Sequence, residues 1–131
     1  MTPSLVDTSL WYAMADDRDP NHPEAVLLLA TPRRPHITTN WIFGETVTLV
    51  RGRLGHKAAV ALGARLLHRP GLRIVRVQAE DEQAAWRTFQ QYTYKDFSFT
   101  DCTSFAVMRR LRITHALAFD RHFQQMGFRV N

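Results

Sequence analysis

Four acidic residues stand where solvation alone would not put them: Asp7, Glu45, Asp101 and Asp120. Asp7 ends the apolar run Leu5-Val6, and Asp120 ends Leu117-Ala118-Phe119. Each taken singly reads as a helix N-cap. Two strands ending in Asp at the same edge of one sheet would bring the carboxylates close together. Glu45 is spaced with Ile42, Leu49 and Val50 along an apolar helical stripe. A buried lone carboxylate costs on the order of several kcal/mol, so Glu45 needs a partner, either an Arg or a metal ion. Asp101 opens a helix and shares its inward stripe with Phe105 and Met108; alone, it would complement the helix dipole. Asp96, in the loop Tyr94-Lys95-Asp96-Phe97, is a weaker candidate that solvent would satisfy. Gathered in one cleft, the four acids would repel one another unless a cation neutralised them. An all-oxygen ligand set selects Mg²⁺ or Mn²⁺ and disfavours Zn²⁺.

Competing chemistries find less support. The six His are scattered among turns, helix ends and one strand, with no His-x-x-x-His pair, and are expected to form no site of their own. Cys102 lies beside Asp101 without a Cys-His-Asp arrangement and reads as a small buried residue. No Gly-rich phosphate loop with Lys is present. Trp41, Phe43, Trp86, Phe89, Phe97, Phe99 and Phe105 sit mostly at core spacing rather than as base-stacking platforms.

The elements that must hold these acids alternate between short apolar strands and helices. Strands are expected at Ser4 to Val6, His36 to Thr38, Leu72 to Val77 and Ile113 to Phe119, with a last edge strand at Phe128 to Val130. Helices are expected at Thr8 to Ala15, from Pro23 to about Ala30, from an Asn40 N-cap to about Arg53 with Gly55 as its stop, and at Lys57 to His68. Others follow at Glu80 to Tyr92, from a Thr100 N-cap through Asp101 to about Leu111, and at Arg121 to Gln125. Strands separated by helices pair in parallel through right-handed crossovers. The expected architecture is a three-layer α/β domain spanning residues 1–131, with function beyond the carboxyl ends of the strands.

Length and charge bound the rest. The chain has 131 residues, 45% of them hydrophobic, enough for one domain with a real core. One cysteine excludes an internal disulfide and fits a reducing cytoplasm. The opening residues do not read as a signal peptide, and the longest apolar run is too short to span a bilayer. The net charge is +5, and 15 of the 17 cations are Arg, which fits codon bias and equally an anionic partner whose phosphates suit a planar fork.

Three stretches carry a family resemblance. Val-Asp-Thr-Ser at 6–9, Trp-Ile-Phe-Gly-Glu-Thr-Val-Thr-Leu-Val at 41–50 with Arg-Gly-Arg-Leu-Gly-His after it, and Ser-Phe-Thr-Asp-Cys-Thr-Ser-Phe at 98–105 resemble PIN-domain nucleases. Ala-Phe-Asp-Arg-His-Phe at 118–123 and Gly-Phe at 127–128 continue it, and the four acids fall in the family order. The bare single-domain chain is most similar to the toxin halves of VapBC toxin–antitoxin pairs, which are RNA endonucleases. Ala118 departs from relatives that carry Thr or Ser there, which bears on a hydrogen bond near Asp120 rather than on a metal ligand.

The resemblance implies about five parallel strands flanked by helices, and an acidic pocket of Asp7, Glu45, Asp101 and Asp120 holding Mg²⁺ or Mn²⁺. It implies supporting hydroxyls at Thr8, Ser9 and Thr100, with Asp96 as an extra member. The expected reaction is phosphodiester hydrolysis by a metal-activated water: Asp7, Asp101 and Asp120 hold one ion, and Glu45 holds a second ion or a water. Arg51, Arg53, Lys57, Arg109, Arg110, Arg112 and Arg121 are candidates to steer RNA, or else solvated helix faces. The implied partners are RNA, a cognate antitoxin and a second copy of the chain. The alternatives are a PIN nuclease of RNA processing outside a toxin system, a binding-only PIN fold, or a receiver-like signalling module. The last needs a paired acid at the first strand and a Lys after the last, and has neither here.

Overall fold

A computed structural model describes all 131 residues. Five strands, β1 (Ser4–Val6), β2 (His36–Thr39), β3 (Leu72–Val75), β4 (His115–Leu117) and β5 (Arg129–Val130), form one sheet in the order β3-β2-β1-β4-β5. Every pairing is parallel, with Ser4 opposite both His36 and His115, and His115 opposite Arg129. Seven helices connect them: α1 (Thr8–Ala15), α2 (His22–Ala30), α3 (Asn40–Leu54), α4 (His56–Leu67), α5 (Ala79–Gln91), α6 (Phe99–Arg110) and α7 (His122–Gln125).

The strand order carries the functional geometry. From β1 the chain steps outward to β2 and β3, then returns past β1 to β4 and β5. Right-handed crossovers therefore place the first two connections on one face of the sheet and the last two on the other. The strand order switches between β1 and β4, where connections diverge to opposite faces and open a crevice at the carboxyl ends. The ladder runs one residue beyond β1, since the Asp7 N–H donates to the Leu117 carbonyl (3.0 Å).

Packing fixes that edge. All three residues of β1 are buried, and Trp11 on α1 donates its indole N–H to Thr38 Oγ1 (3.2 Å), anchoring α1 to β2. Trp11, Phe105 and Phe123 are the largest fully buried side chains, and each such aromatic contributes about 3 kcal/mol through burial. Phe105 links edge-on to Phe97 (5.1 Å) and Phe123 (5.2 Å), tying α6 to α7 beneath the crevice.

Several boundaries differ from expectation for a local reason. The N-cap of α3 is Thr39, whose hydroxyl accepts from the Ile42 N–H (3.0 Å). Asn40 instead uses its Oδ1 to accept the Val77 N–H (2.8 Å). The N-cap of α6 is Ser98 rather than Thr100. β3 and β4 are shorter than their apolar runs, so Asp120 stands in the loop after β4, not on the strand. Gly55, at φ +98°, does stop α3 and start α4 in a backbone conformation that Cβ-bearing residues avoid. Trp86 and Phe89 are not core residues: they are 54% and 44% exposed and stack on each other (6.1 Å).

Candidate active site

Asp7 is placed by β1 and caps α1. Its Oδ2 accepts from the Ser9 N–H (3.2 Å) and from the Ser9 hydroxyl (2.8 Å). The same Ser9 oxygen accepts the Phe119 N–H (3.0 Å). Ser9 thus ties the acid after β1 to the loop after β4, one residue before Asp120.

Glu45 sits on α3, half-buried at the border of a buried stripe of Ile42, Thr46 and Val50. Thr8 donates its hydroxyl to Glu45 Oε1 (2.7 Å) and itself accepts from Thr46 (3.3 Å). No Lys or Arg pairs with Glu45, so its expected alternative role in a structural ion pair is absent.

Asp101 occupies the third position of α6. Its Oδ2 accepts the Ser98 N–H (2.9 Å), and its own N–H donates to Ser98 Oγ (3.0 Å), a reciprocal capping box. Asp120 bends the chain into α7 by accepting the His122 N–H at Oδ1 (3.1 Å). That turn brings the His122 ring, which packs edge-on against Phe97 (5.4 Å), to within 2.7 Å of Asp101 Oδ2 and 3.8 Å of Asp120 Oδ1. The short approach is not aligned as a hydrogen bond, and buried Nδ1 has no other partner. Asp101, Asp120 and His122 can offer ligand atoms that all lie within 4.8 Å of one another.

One histidine, His122, joins the acids expected from the sequence, because only the fold sets the second residue after Asp120 against the start of α6. Asp7, Glu45, Asp101, Asp120 and His122 line one cleft of about 460 Å³. Six carboxylates line it, Asp19 and Asp96 being the others, against one guanidinium, Arg53. Burial, then the charges of Asp120 and Asp101, hold the Asp7 pKa well above the usual carboxylate value. Burial also raises Asp101, outweighing the Ser98 hydrogen bond and His122, with Asp120 and Glu45 adding to the rise.

The remaining candidates divide. Thr8 and Ser9 touch the acids, and Asp96 lines the cleft while staying exposed. Thr100 lies instead in the adjoining shallow groove with Trp41 and Glu45. Arg53 lines the cleft with its guanidinium 5.0 Å over the Tyr12 ring. Arg121 is exposed beside Asp120. Arg51 and Lys57 are exposed and do not line the cleft. Arg109 and Arg110 lie at the far end of α6, about 12 Å along the axis from Asp101. Arg109 stacks over Phe128 (5.9 Å), while Arg110 forks onto buried Asp81 with two 2.8 Å bonds. Arg112, just beyond that end, is exposed at φ 57°. Cys102 is buried, and burial pushes its thiol pKa up to about 11, so it stays an inert thiol.

Comparison with known proteins places this cleft in context. A PIN-domain family model matches residues 4–129. The chain is 42% identical over 124 residues to the "23S rRNA-specific endonuclease VapC20" of Mycobacterium tuberculosis strain CDC 1551, spanning 95% of this chain and 94% of the relative. The same protein of strain H37Rv matches equally. The crystal structure of M. tuberculosis VapC20, described as a sarcin-ricin loop cleaving toxin, superposes with a TM-score of 0.89 at 40% identity, covering 95% of both chains.

Proposed function

This chain belongs to the PIN-domain family, and from that premise we propose that its cleft is the active site of an RNA endonuclease, the toxin of a VapBC-type pair. The observation that carries this reading is the gathering of Asp7, Glu45, Asp101 and Asp120 at the carboxyl edge of the sheet without an ion-paired Lys or Arg.

The donor set fits a divalent cation. Six carboxylates against one guanidinium leave negative charge uncompensated, and two of the acids are held above their ordinary pKa by burial and mutual repulsion. Asp7, Asp101 and Asp120 would hold Mg²⁺ or Mn²⁺, with Glu45 serving a second ion or a water. When bound, such an ion supplies a water activated near neutral pH and neutralises charge on the phosphodiester. Ser9 fixes the rotamer of Asp7, leaving Oδ1 free of hydrogen bonds. Thr8 orients Glu45 in the same way, and the Ser98 N–H orients Asp101. The chain thus needs no nucleophile of its own, and none lines the cleft in an activated state. Arg53 is the cation best placed to meet the RNA backbone.

VapC20 is named for 23S rRNA and its sarcin-ricin loop, and the likeness over 95% of both chains supports the same substrate class here. The partners on this reading are 23S rRNA and a cognate antitoxin, and the chain acts as a homodimer in the cytoplasm, residues 1–131 forming one domain. No helix is long and apolar enough to cross a membrane. The test is cleavage of 23S rRNA by purified protein with Mn²⁺, with EDTA and with Asp7→Asn. Cleavage that survives EDTA or the substitution would overturn the metal-dependent mechanism.

A further inference from the structure

The opposite end of the sheet carries a second, chemically inverse feature. Ser4, His36, His115 and Arg129 open β1, β2, β4 and β5 and are paired in register across the strands. Partnered positions in a parallel sheet point to the same face, so these four side chains form one row about 14 Å wide. They line a cavity of about 510 Å³ together with Arg33 and Arg34 from the loop before β2 and Leu27 and Leu28 of α2. Ser4 and His36 are buried within it, while Leu27 is 62% exposed.

The side-chain charge of this cavity, which the terminal residues Met1 and Asn131 also line, is one-sided. No Asp or Glu is among its lining residues, and Arg33, Arg34 and Arg129 make no ion pair. Arg34 makes only a 3.5 Å contact to the Thr2 carbonyl. Burial first, then the charges of Arg34 and Arg129, which line the same cavity, hold His115 below its ordinary pKa. Burial, then the charge of Arg69, likewise hold His36 below its ordinary pKa. Unpaired Arg forks concentrated in a concave site suit phosphate oxygens, and two imidazoles and a hydroxyl add directional hydrogen bonds. The Leu27–Leu28 wall offers contact to a planar or apolar group.

We propose that this cavity binds a phosphate-bearing small molecule of the nucleotide class. Its phosphates lie on Arg33, Arg34 and Arg129, its hydrogen bonds run to Ser4, His36 and His115, and its ring lies against Leu27 and Leu28. The site is separate from the acidic cleft, since Ser4 precedes Asp7 by about 10 Å of strand, and it does not depend on the nuclease reading.

The experiment is calorimetric titration of the full chain with inorganic pyrophosphate, AMP and ATP, in EDTA so that no ion bridges phosphate to the acids. Pyrophosphate and ATP are expected to bind, ATP the tighter for its ring. The Arg34→Ala/Arg129→Ala double variant is expected to lose about tenfold or more in affinity for both. Arg33→Glu, altered at an exposed side chain that cannot unfold the protein, is expected to weaken them as well, and Asp7→Asn to leave them unchanged. Absence of binding by both pyrophosphate and ATP, or equal binding by the Arg variants, would overturn the proposal. So would loss of binding in Asp7→Asn, or binding of a single-stranded RNA oligonucleotide alone at these arginines.

Discussion

Ser9 is the smallest residue on which the cleft turns. Its hydroxyl donates to Asp7 and accepts from Phe119, so one oxygen sets both the rotamer of the acid after β1 and the path of the chain into Asp120. Ser9→Ala leaves the Phe119 N–H without its acceptor, at a stability cost of about 1–3 kcal/mol, and is expected to lower cleavage roughly 10–100-fold by loosening Asp7, a proposed metal ligand. Urea unfolding and single-turnover cleavage check the two halves separately. Asp7→Asn acts in the opposite sense on stability. It removes a buried charge repelled by Asp101 and Asp120, so the metal-free protein is expected to melt no lower than wild type while cleavage falls about 100-fold or more. The pH dependence has the same origin. Asp7 and Asp101 have folded-state pKa values above those of the unfolded chain, so the folded state binds more protons and stability falls as pH rises. Without divalent ions the melting temperature is expected to drop from about pH 4 upward, through the raised pKa values of the folded state. Adding Mn²⁺ is expected to flatten that fall, and a flat profile without the ion would contradict the repulsion argued here.

α6 joins the two ends of the molecule. Its first turn presents Asp101 to the cleft through the Ser98 capping box, and its last turn carries Arg110 to Asp81 on α5. Burial opposes the Asp81 carboxylate, but hydrogen bonds from Arg110 and the Gln78 N–H outweigh it and hold the pKa below the ordinary value. Arg110→Ala strands a buried charge and is expected to cost about 3 kcal/mol, the low end for a buried pair because the guanidinium is 24% exposed. RNA affinity, measured well below the melting temperature, is expected to stay within about twofold, since the side chain is a full helix length from the cleft. The same pair shows what local sequence carries and what it does not. Strand alternation and helix periodicity locate the strands, α1 and α3, and therefore the acids at the carboxyl edge, because parallel strands must all end there. Asp81 and Arg110 are 29 residues apart, and local spacing marks Asp81 only as the capping-box partner of Gln78, not as the partner of an Arg at the far end of α6. Caps slip for a similar reason: Thr39 beside Asn40, and Ser98 beside Thr100, offer near-equivalent oxygens. Tertiary demand decides between them, here the Val77 N–H that claims Asn40.

Across the whole molecule the net charge of +5 resolves into two poles. Carboxylates crowd the carboxyl ends of β1 and β4, while Arg33, Arg34 and Arg129 surround the amino ends of the same strands. This polarity was not legible from composition, because it depends on which strands are neighbours: β4 follows β3 in sequence but lies beside β1. His122 was hidden for the same reason, since its distance to Asp101 follows from how α7 docks on α6 and not from spacing. The separation of charge predicts how salt acts on the substrate. If the acidic pole meets RNA, few cations share the contact, chiefly Arg53 and Arg121, so binding neutralises about two phosphates. The slope of log affinity against log salt is then expected near −1.4 for a single strand, at about −0.7 per phosphate. Arg53→Ala is expected to make that slope shallower by about 0.7, and Arg109→Ala and Arg129→Ala to leave it unchanged. Measured in Ca²⁺ or with Asp7→Asn to suppress cleavage, a steep slope that falls with Arg129→Ala would place the RNA on the opposite pole and reverse the orientation proposed for the cleft.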